Sequence, residues 1–320
     1  MQATRLLAGS VFVSLLCLGL GATPNGVVFN KGDGRIDVVI AGKPFTTYYH
    51  AANLPRPFFH PLRTADGKVV TRGFPMVTDA PAESQDRDHP HHRSCWFTFG
   101  DVDGVDYWGE GAKVQGRIVN RSVDKMEGGE KKGVLATTMD WLDNTGRKVL
   151  EQKQEVIFHG DATRRYMDYT IVLTPTERDV TFRDTKEGMF AVRLATPLKE
   201  KNGGVITNSK GAVGMKDCWG KSAEWVDYSG QLEGSKVGVT IMDHPGSFRH
   251  PTTWHVRDYG LFAANPFGLR DFTGDKAKDG SHVIATGKNI TFRYRILIHP
   301  GDLQEAKVAD EYGKYVREVK

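Results

Sequence analysis

The sequence predicts an all-β protein: a large antiparallel β-sandwich that ends in a short helix. Two observations predict the sheets. Apolar and polar residues alternate along many short runs, and Gly- or Asn-containing turns separate the runs. A third predicts the helix, a capping signature near the C-terminus followed by apolar residues at helical spacing.

The alternation is clearest at 165–174, where Met167, Tyr169, Ile171 and Leu173 interleave with Tyr166, Asp168, Thr170 and Val172. It recurs at 290–299, where Ile290, Phe292, Tyr294, Ile296 and Ile298 interleave with Thr291, Arg293, Arg295 and Leu297. A period of two places one set on a buried face and the other toward solvent or a second layer. Similar runs lie at 35–41, 44–49, 114–123, 133–142, 148–158, 189–196 and 235–242. Ala65-Asp66-Gly67, Glu127-Gly128-Gly129, Asn144-Thr145-Gly146 and Asn202-Gly203-Gly204 mark turns between them. Strands in series with short connections argue for antiparallel sheets packed face to face. At the end of the chain, Asp302 stands three residues before Glu305, and Leu303, Ala306, Ala309, Tyr312 and Val316 follow.

The first residues read differently. Arg5, the apolar run 6–20 and the small pair Gly21-Ala22 fit a signal peptide over 1–22. The run is short for a membrane span. Cys17 raises a lipoprotein tether, which Leu15-Leu16 disfavours. The expectation is a secreted or periplasmic chain that does not span the membrane, with one sandwich domain over 25–320. The net charge of +4 is spread without a basic tract, so nothing points to nucleic acid. Of the three cysteines, Cys95 and Cys218 would remain after cleavage, and sequence alone does not decide whether they are bridged.

Two segments break the strand pattern, 72–110 and 243–268, and six of the 11 histidines fall in them: His89, His91, His92, His244, His250 and His255. Loops on a rigid scaffold commonly carry function. Two chemistries stay open. In the first, a divalent metal ion is held by His89 and His91, which point to the same side of an extended chain, with His244, His255 or a carboxylate as a further ligand. In the second, His91, His92 and His255 carry protons, with one of the flanking carboxylates Asp86, Asp88, Asp243 and Asp258, or Glu187, as partner. Arg93, Arg193 and Arg257 are candidate forks for oxygen-rich ligands, and Trp108, Trp254 and Tyr259 are candidate stacking faces. Asn265, in the turn Asn265-Pro266-Phe267-Gly268, is a candidate pocket residue. Cys95, followed by Trp96-Phe97, reads as a buried, inert thiol.

Three stretches together, DHPHHRS with the following GDVDGVDYWGE, DTKEGMFAVRLA, and HPGSFRHPTTWHVRDYGLFAANPFG, resemble an exported bacterial family labelled methane oxygenase PmoA-like. The label itself does not suit the chain, because a methane monooxygenase subunit is polytopic and no membrane-spanning stretch follows residue 22. The resemblance implies a galactose-mutarotase-like supersandwich and acid–base chemistry on sugars, with Glu187 the nearest counterpart of a catalytic glutamate. The expected activity is that of an exported carbohydrate-active enzyme. It would act on a glycoside or a modified sugar, a keto-sugar included, by hydrolysis, elimination or epimerisation. The alternatives are a non-catalytic carbohydrate-binding protein and an exported metal-binding protein.

Overall fold

The computed structural model describes residues 26–79, 86–111 and 113–319. The signal-peptide reading falls on residues outside these. In chain order the strands are β1 (Val27–Gly32), β2 (Arg35–Ile40), β3 (Lys43–Tyr49), β4 (Phe58–His60), β5 (Cys95–Phe99), β6 (Arg117–Glu127), β7 (Lys132–Leu142), β8 (Lys148–Gly160) and β9 (Arg165–Pro175). They continue with β10 (Val180–Phe182), β11 (Gly188–Arg193), β12 (Val205–Asn208), β13 (Trp225–Leu232), β14 (Ser235–Asp243), β15 (Trp254–Val256), β16 (Leu261–Ala264), β17 (His282–Ile284) and β18 (Ile290–Pro300). The helices are α1 (Met215–Cys218), α2 (Leu269–Thr273) and α3 (Val308–Glu318).

Two eight-stranded antiparallel sheets face each other. The first runs β1-β2-β3-β4-β5-β11-β16-β15 and the second β12-β13-β14-β18-β9-β8-β7-β6, with β10 and β17 as a separate pair. The predicted all-β antiparallel sandwich is what the chain forms. Met167, Tyr169, Ile171 and Leu173 of β9 and Phe292, Tyr294, Ile296 and Ile298 of β18 enter the core between the sheets. They meet Phe59, Phe97, Phe190 and Phe262 from the first sheet. Burying each such side chain contributes about 1.5–3 kcal/mol.

The other face of β9 and β18 is also covered. Tyr166 and Leu297 pack with Val308 and Tyr315, so α3 lies on the outside of the second sheet. Arg295 grips Asp168 there through two hydrogen bonds of 2.6 and 2.8 Å. The predicted capping box forms: the Asp302 carboxylate accepts from Glu305 N at 3.0 Å, and Glu305 accepts from Asp302 N at 2.8 Å. It closes only one turn. Lys307 has φ 54°, which interrupts the helix, and α3 begins at Val308.

Both described cysteines are buried and unbridged. Cys95 lies against the Tyr169 hydroxyl, and burial pushes its thiol up to about 12, so it is inert as read. Among the described residues, no helix is long and apolar enough to cross a membrane.

Candidate active site

The first sheet has an inner face in the core and an outer face that carries the unusual residues. Along β5, Cys95, Phe97 and Phe99 face inward and Trp96 outward; along β16, Leu261 and Ala263 face outward. Register then sets a row across four strands: Trp96 pairs with Ala191, Ala191 with Ala263, and Ala263 with His255. The two alanines leave space between Trp96 and His255. Trp108 fills it, with its ring centroid 5.3 Å from Trp96 and 6.4 Å from His255. Trp108 is thus a buried floor residue, not the open stacking face expected of it.

The segment 86–94 crosses above this floor, and three buried arginines pin it. Arg56 donates to the carbonyls of His91 (3.1 Å) and Trp108 (2.7 Å). Arg72 donates to the carbonyl of His89 (2.9 Å) and to the Asp88 carboxylate (2.7 Å). Arg193 donates to Asp88 (2.7 Å) and to Nδ1 of His92 (3.0 Å). Asp86 completes the network, accepting from Lys199 at 2.5 Å and from Thr196 at 2.9 Å. Arg193 is fully buried with its terminal nitrogens committed here, so it holds the loop and does not face a ligand.

Stacked rings follow from this pinning. His92 lies over Trp96 (5.3 Å, 24°), His89 over His92 (4.7 Å, 9°), and Tyr259 over His89 (5.1 Å, 18°). The Nδ1–H of His89 donates to Asp88 Oδ2 at 2.5 Å. A carboxylate bonded to Nδ1 fixes the tautomer and presents Nε2. Burial works against the Asp88 charge, but the His89 hydrogen bond and the charges of Arg193 and Arg72 outweigh it. Its carboxyl is held well below the usual carboxylate range.

His91 sits edge-on to His92 at 4.5 Å, and its ring nitrogens have no hydrogen-bond partner among the described residues. Burial, aided by Arg56, lowers it to about 4, so it is neutral at neutral pH. His92 is pushed in the same direction by deeper burial and by His91 and Arg193. His255 is lowered to about 3 by burial and Arg257. Its Nδ1–H donates to the Lys186 carbonyl at 2.7 Å, and its Nε2 accepts from Arg257 Nε at 3.2 Å.

That bond leaves the two terminal amino groups of Arg257 without partners among the described residues, while its guanidinium covers the Trp219 ring at 4.0 Å. The charges of Arg257, Arg193, Glu187 and Asp88 all act on the Tyr259 phenol, which burial raises first. Glu187 is partly exposed and pairs with Lys186 at 3.0 Å. The open side of the site is therefore His89, His91, Tyr259, Arg257, Trp219 and the Lys186–Glu187 pair.

Several expected residues serve elsewhere. Arg93 is locked on Glu110 by bonds of 2.8 and 2.7 Å. Trp254 is fully buried in the core between the sheets, its indole N–H bonded to the Ala223 carbonyl. Asn265 is fully buried and ties two turns, donating to Thr185 O and accepting from Phe267 N, both at 2.9 Å. Asp258 pairs with Lys201 at 3.3 Å. His244 follows β14 of the second sheet and packs on Tyr315 of α3, away from His89 and His91. The three proposed metal ligands are not brought together. Among the described residues, no group of three or more His, Cys, Asp or Glu is placed to hold a metal ion.

Sequence reasoning missed Arg56, Arg72, Lys199 and Trp219. Arg72 and Lys199 stand among ordinary strand and turn residues and carry no motif. Trp219, isolated in Cys218-Trp219-Gly220, gave only a weak aromatic signal.

Over residues 35–313 the chain matches the model of a family of unknown function, DUF6807, and it belongs to that family. This corrects the resemblance drawn from the sequence: the family that matches is DUF6807, and nothing supports a PmoA-like assignment. No curated protein matches the chain. Among solved structures it is similar to a galactose mutarotase-like protein from Clostridium acetobutylicum, at 9% identity and TM-score 0.43, over 86% of this chain and 98% of that one. It is also similar to galactose 1-epimerase from Lactobacillus acidophilus, at 8% identity and TM-score 0.39, over 87% and 98%. A third similarity is to the galactosidase domain of an alpha-galactosidase-sucrose kinase, at 12% identity and TM-score 0.38, where 86% of this chain spans 42% of that one.

Proposed function

Membership of a family of unknown function leaves the chemistry to the site itself, and we propose that the protein is an exported carbohydrate-active enzyme in which Asp88 and His89 form the acid–base pair. One observation carries the reading: a carboxylate fixed by two buried arginines bonds His89 Nδ1 at 2.5 Å, on the open side of the site. This arrangement orients an imidazole and stabilises the imidazolium formed when Nε2 takes a proton.

The surrounding residues supply the rest. His91 is a second neutral imidazole able to accept a proton. Arg257 offers two free amino groups to sugar oxygens or to negative charge that develops in the reaction. Trp219 and Tyr259 supply apolar faces of the kind that pack against a sugar ring. Glu187 is the second carboxylate at the mouth. His92 and His255 are positioning residues, because they lie beneath the open groups and hold them. A keto-sugar suits the set. His89 removes the proton beside the carbonyl, and the electron pair becomes an enolate oxygen near Arg257. Return of the proton to the other face gives epimerisation, and loss of a β-oxygen substituent gives elimination. Export rests on Arg5, the apolar run 6–20 and Gly21-Ala22.

The test is turnover of a panel of glycosides and keto-glycosides by wild type and His89→Ala, with sugar affinity measured alongside by calorimetry. Turnover lost with affinity retained supports the reading. Turnover unchanged in His89→Ala overturns it.

A further inference from the structure

Beside the histidine loop lies a groove of about 530 Å³ that the acid–base chemistry does not use. Its size falls in the range of small-molecule sites. Tyr49, Val69, Met76 and Pro197 give it a mainly apolar lining, into which Arg63 and His60 are set beside two further polar residues, Thr71 and Glu233.

Arg63 and His60 are unusual in the same way. Arg63 is half-buried and has no carboxylate or hydrogen-bond partner among the described residues. Burial lowers its pKa, the mark of a cation held in a poorly solvated place without a counter-ion. His60 is 4% exposed; neither ring nitrogen has a partner among the described residues, and Nδ1 is sealed from solvent. Burial lowers it to about 4, so it is neutral and adds no second positive charge. Unpaired buried polar groups are costly and rare in a finished fold. An apolar groove with one unpaired guanidinium and one unpaired imidazole on its wall is complementary to a ligand with an apolar body and one anionic head. Glu233, exposed on the same lining, disfavours a second negative charge.

We infer that this groove is a separate binding site for a small amphipathic monocarboxylate, whose carboxylate pairs with Arg63 and whose apolar body lies against Tyr49, Val69 and Met76. The guanidinium fork matches a carboxylate in two bonds, and His60 supplies a neutral hydrogen-bonding group beside it.

The experiment is titration calorimetry of the full mature chain with 4-phenylbutyrate and with its neutral isostere 4-phenylbutanamide. Wild type is expected to bind the acid one-to-one and the amide at least about tenfold more weakly, the size of one charge-assisted hydrogen bond. Arg63→Gln is expected to bring the acid down to the amide. Val77→Trp, at an exposed position on the lining, is expected to fill the groove and abolish binding of both with an unchanged melting temperature. His89→Ala leaves binding unchanged, which separates this site from the histidine site. Absence of binding by wild type, equal affinity for acid and amide, or binding that survives Val77→Trp overturns the inference. If Arg63→Gln melts early, the acid–amide comparison and Val77→Trp decide.

Discussion

Arg193 Nη1 lies 3.0 Å from His92 Nδ1, and because a guanidinium only donates, the His92 proton sits on Nε2. The same guanidinium holds Asp88 at 2.7 Å through its other amino group. One buried side chain therefore fixes both the imidazole beneath His89 and the carboxylate that orients it. Arg193→Met removes the cation and leaves Asp86 buried with Lys199 as its one remaining partner cation among the described residues. Breaking such a network costs about 3 kcal/mol or more. Urea denaturation of the variant is expected to show that loss, and a change under about 0.5 kcal/mol, the range of ordinary surface substitutions, speaks against the network.

Asp88→Asn keeps the size of the side chain and removes the charge that stabilises an imidazolium at His89. Turnover is expected to fall by about 10²-fold or more with little change in substrate affinity, as for other carboxylate–histidine pairs. A KM-only effect in steady-state kinetics assigns Asp88 to the loop structure alone.

Stability is expected to fall as the pH drops below neutral. Burial lowers His60 to about 4, and burial with Arg257 lowers His255 to about 3, both from an ordinary value of 6.5. Above 6.5 both are neutral whether folded or unfolded, and their contribution is fully present. Between 6.5 and the folded values the unfolded chain takes up protons that the folded chain refuses, so stability falls with pH by up to ~1.4 kcal/mol per unit for each histidine. Asp88, whose carboxyl is held well below the usual range, adds a loss at still lower pH. Urea midpoints at pH 7 and 5 measure the effect, and His60→Gln is expected to flatten it. A flat profile in wild type contradicts the burial of both imidazoles.

A core residue and a site residue separate cleanly. Trp254→Ala empties a fully buried core position and is expected to cost about 3–5 kcal/mol of stability. Arg257→Lys keeps the charge but loses the stacked fork over Trp219. It is expected to raise KM about tenfold with an unchanged melting temperature, read from kinetics and a thermal scan.

Long strands were legible where one face met the core and the other met solvent or α3. Most of β2, β7, β8, β9, β14 and β18 fall where alternation places them. Of the strands under the site, β11 falls in the run read at 189–196, but β5, β15 and β16 were not legible. Every residue of β5, β15 and β16 is buried, because the outer face carries its own aromatic layer, so the period of two vanished and the segments read as loops. The same covering misled the site assignment. Clustering in the sequence drew together His89, His91, His92 and His255, which do converge. It also drew in His244, which the β14–β18 pairing carries to the other sheet. Proximity along the chain does not reveal which face a strand end presents. Nor does residue type reveal that Arg93 and Arg193 are used up internally while Arg257 is not.

The most direct test of the acid–base pair is deuterium wash-in from D₂O at the carbon beside the carbonyl of a methyl keto-glucoside, followed by proton NMR. Exchange reports proton removal whether or not a net product forms. Wild-type protein is expected to catalyse it, with the rate lost in His89→Ala and strongly reduced in Asp88→Asn. Wash-in by His89→Ala at the wild-type rate, or none by the wild type, contradicts proton transfer by this pair.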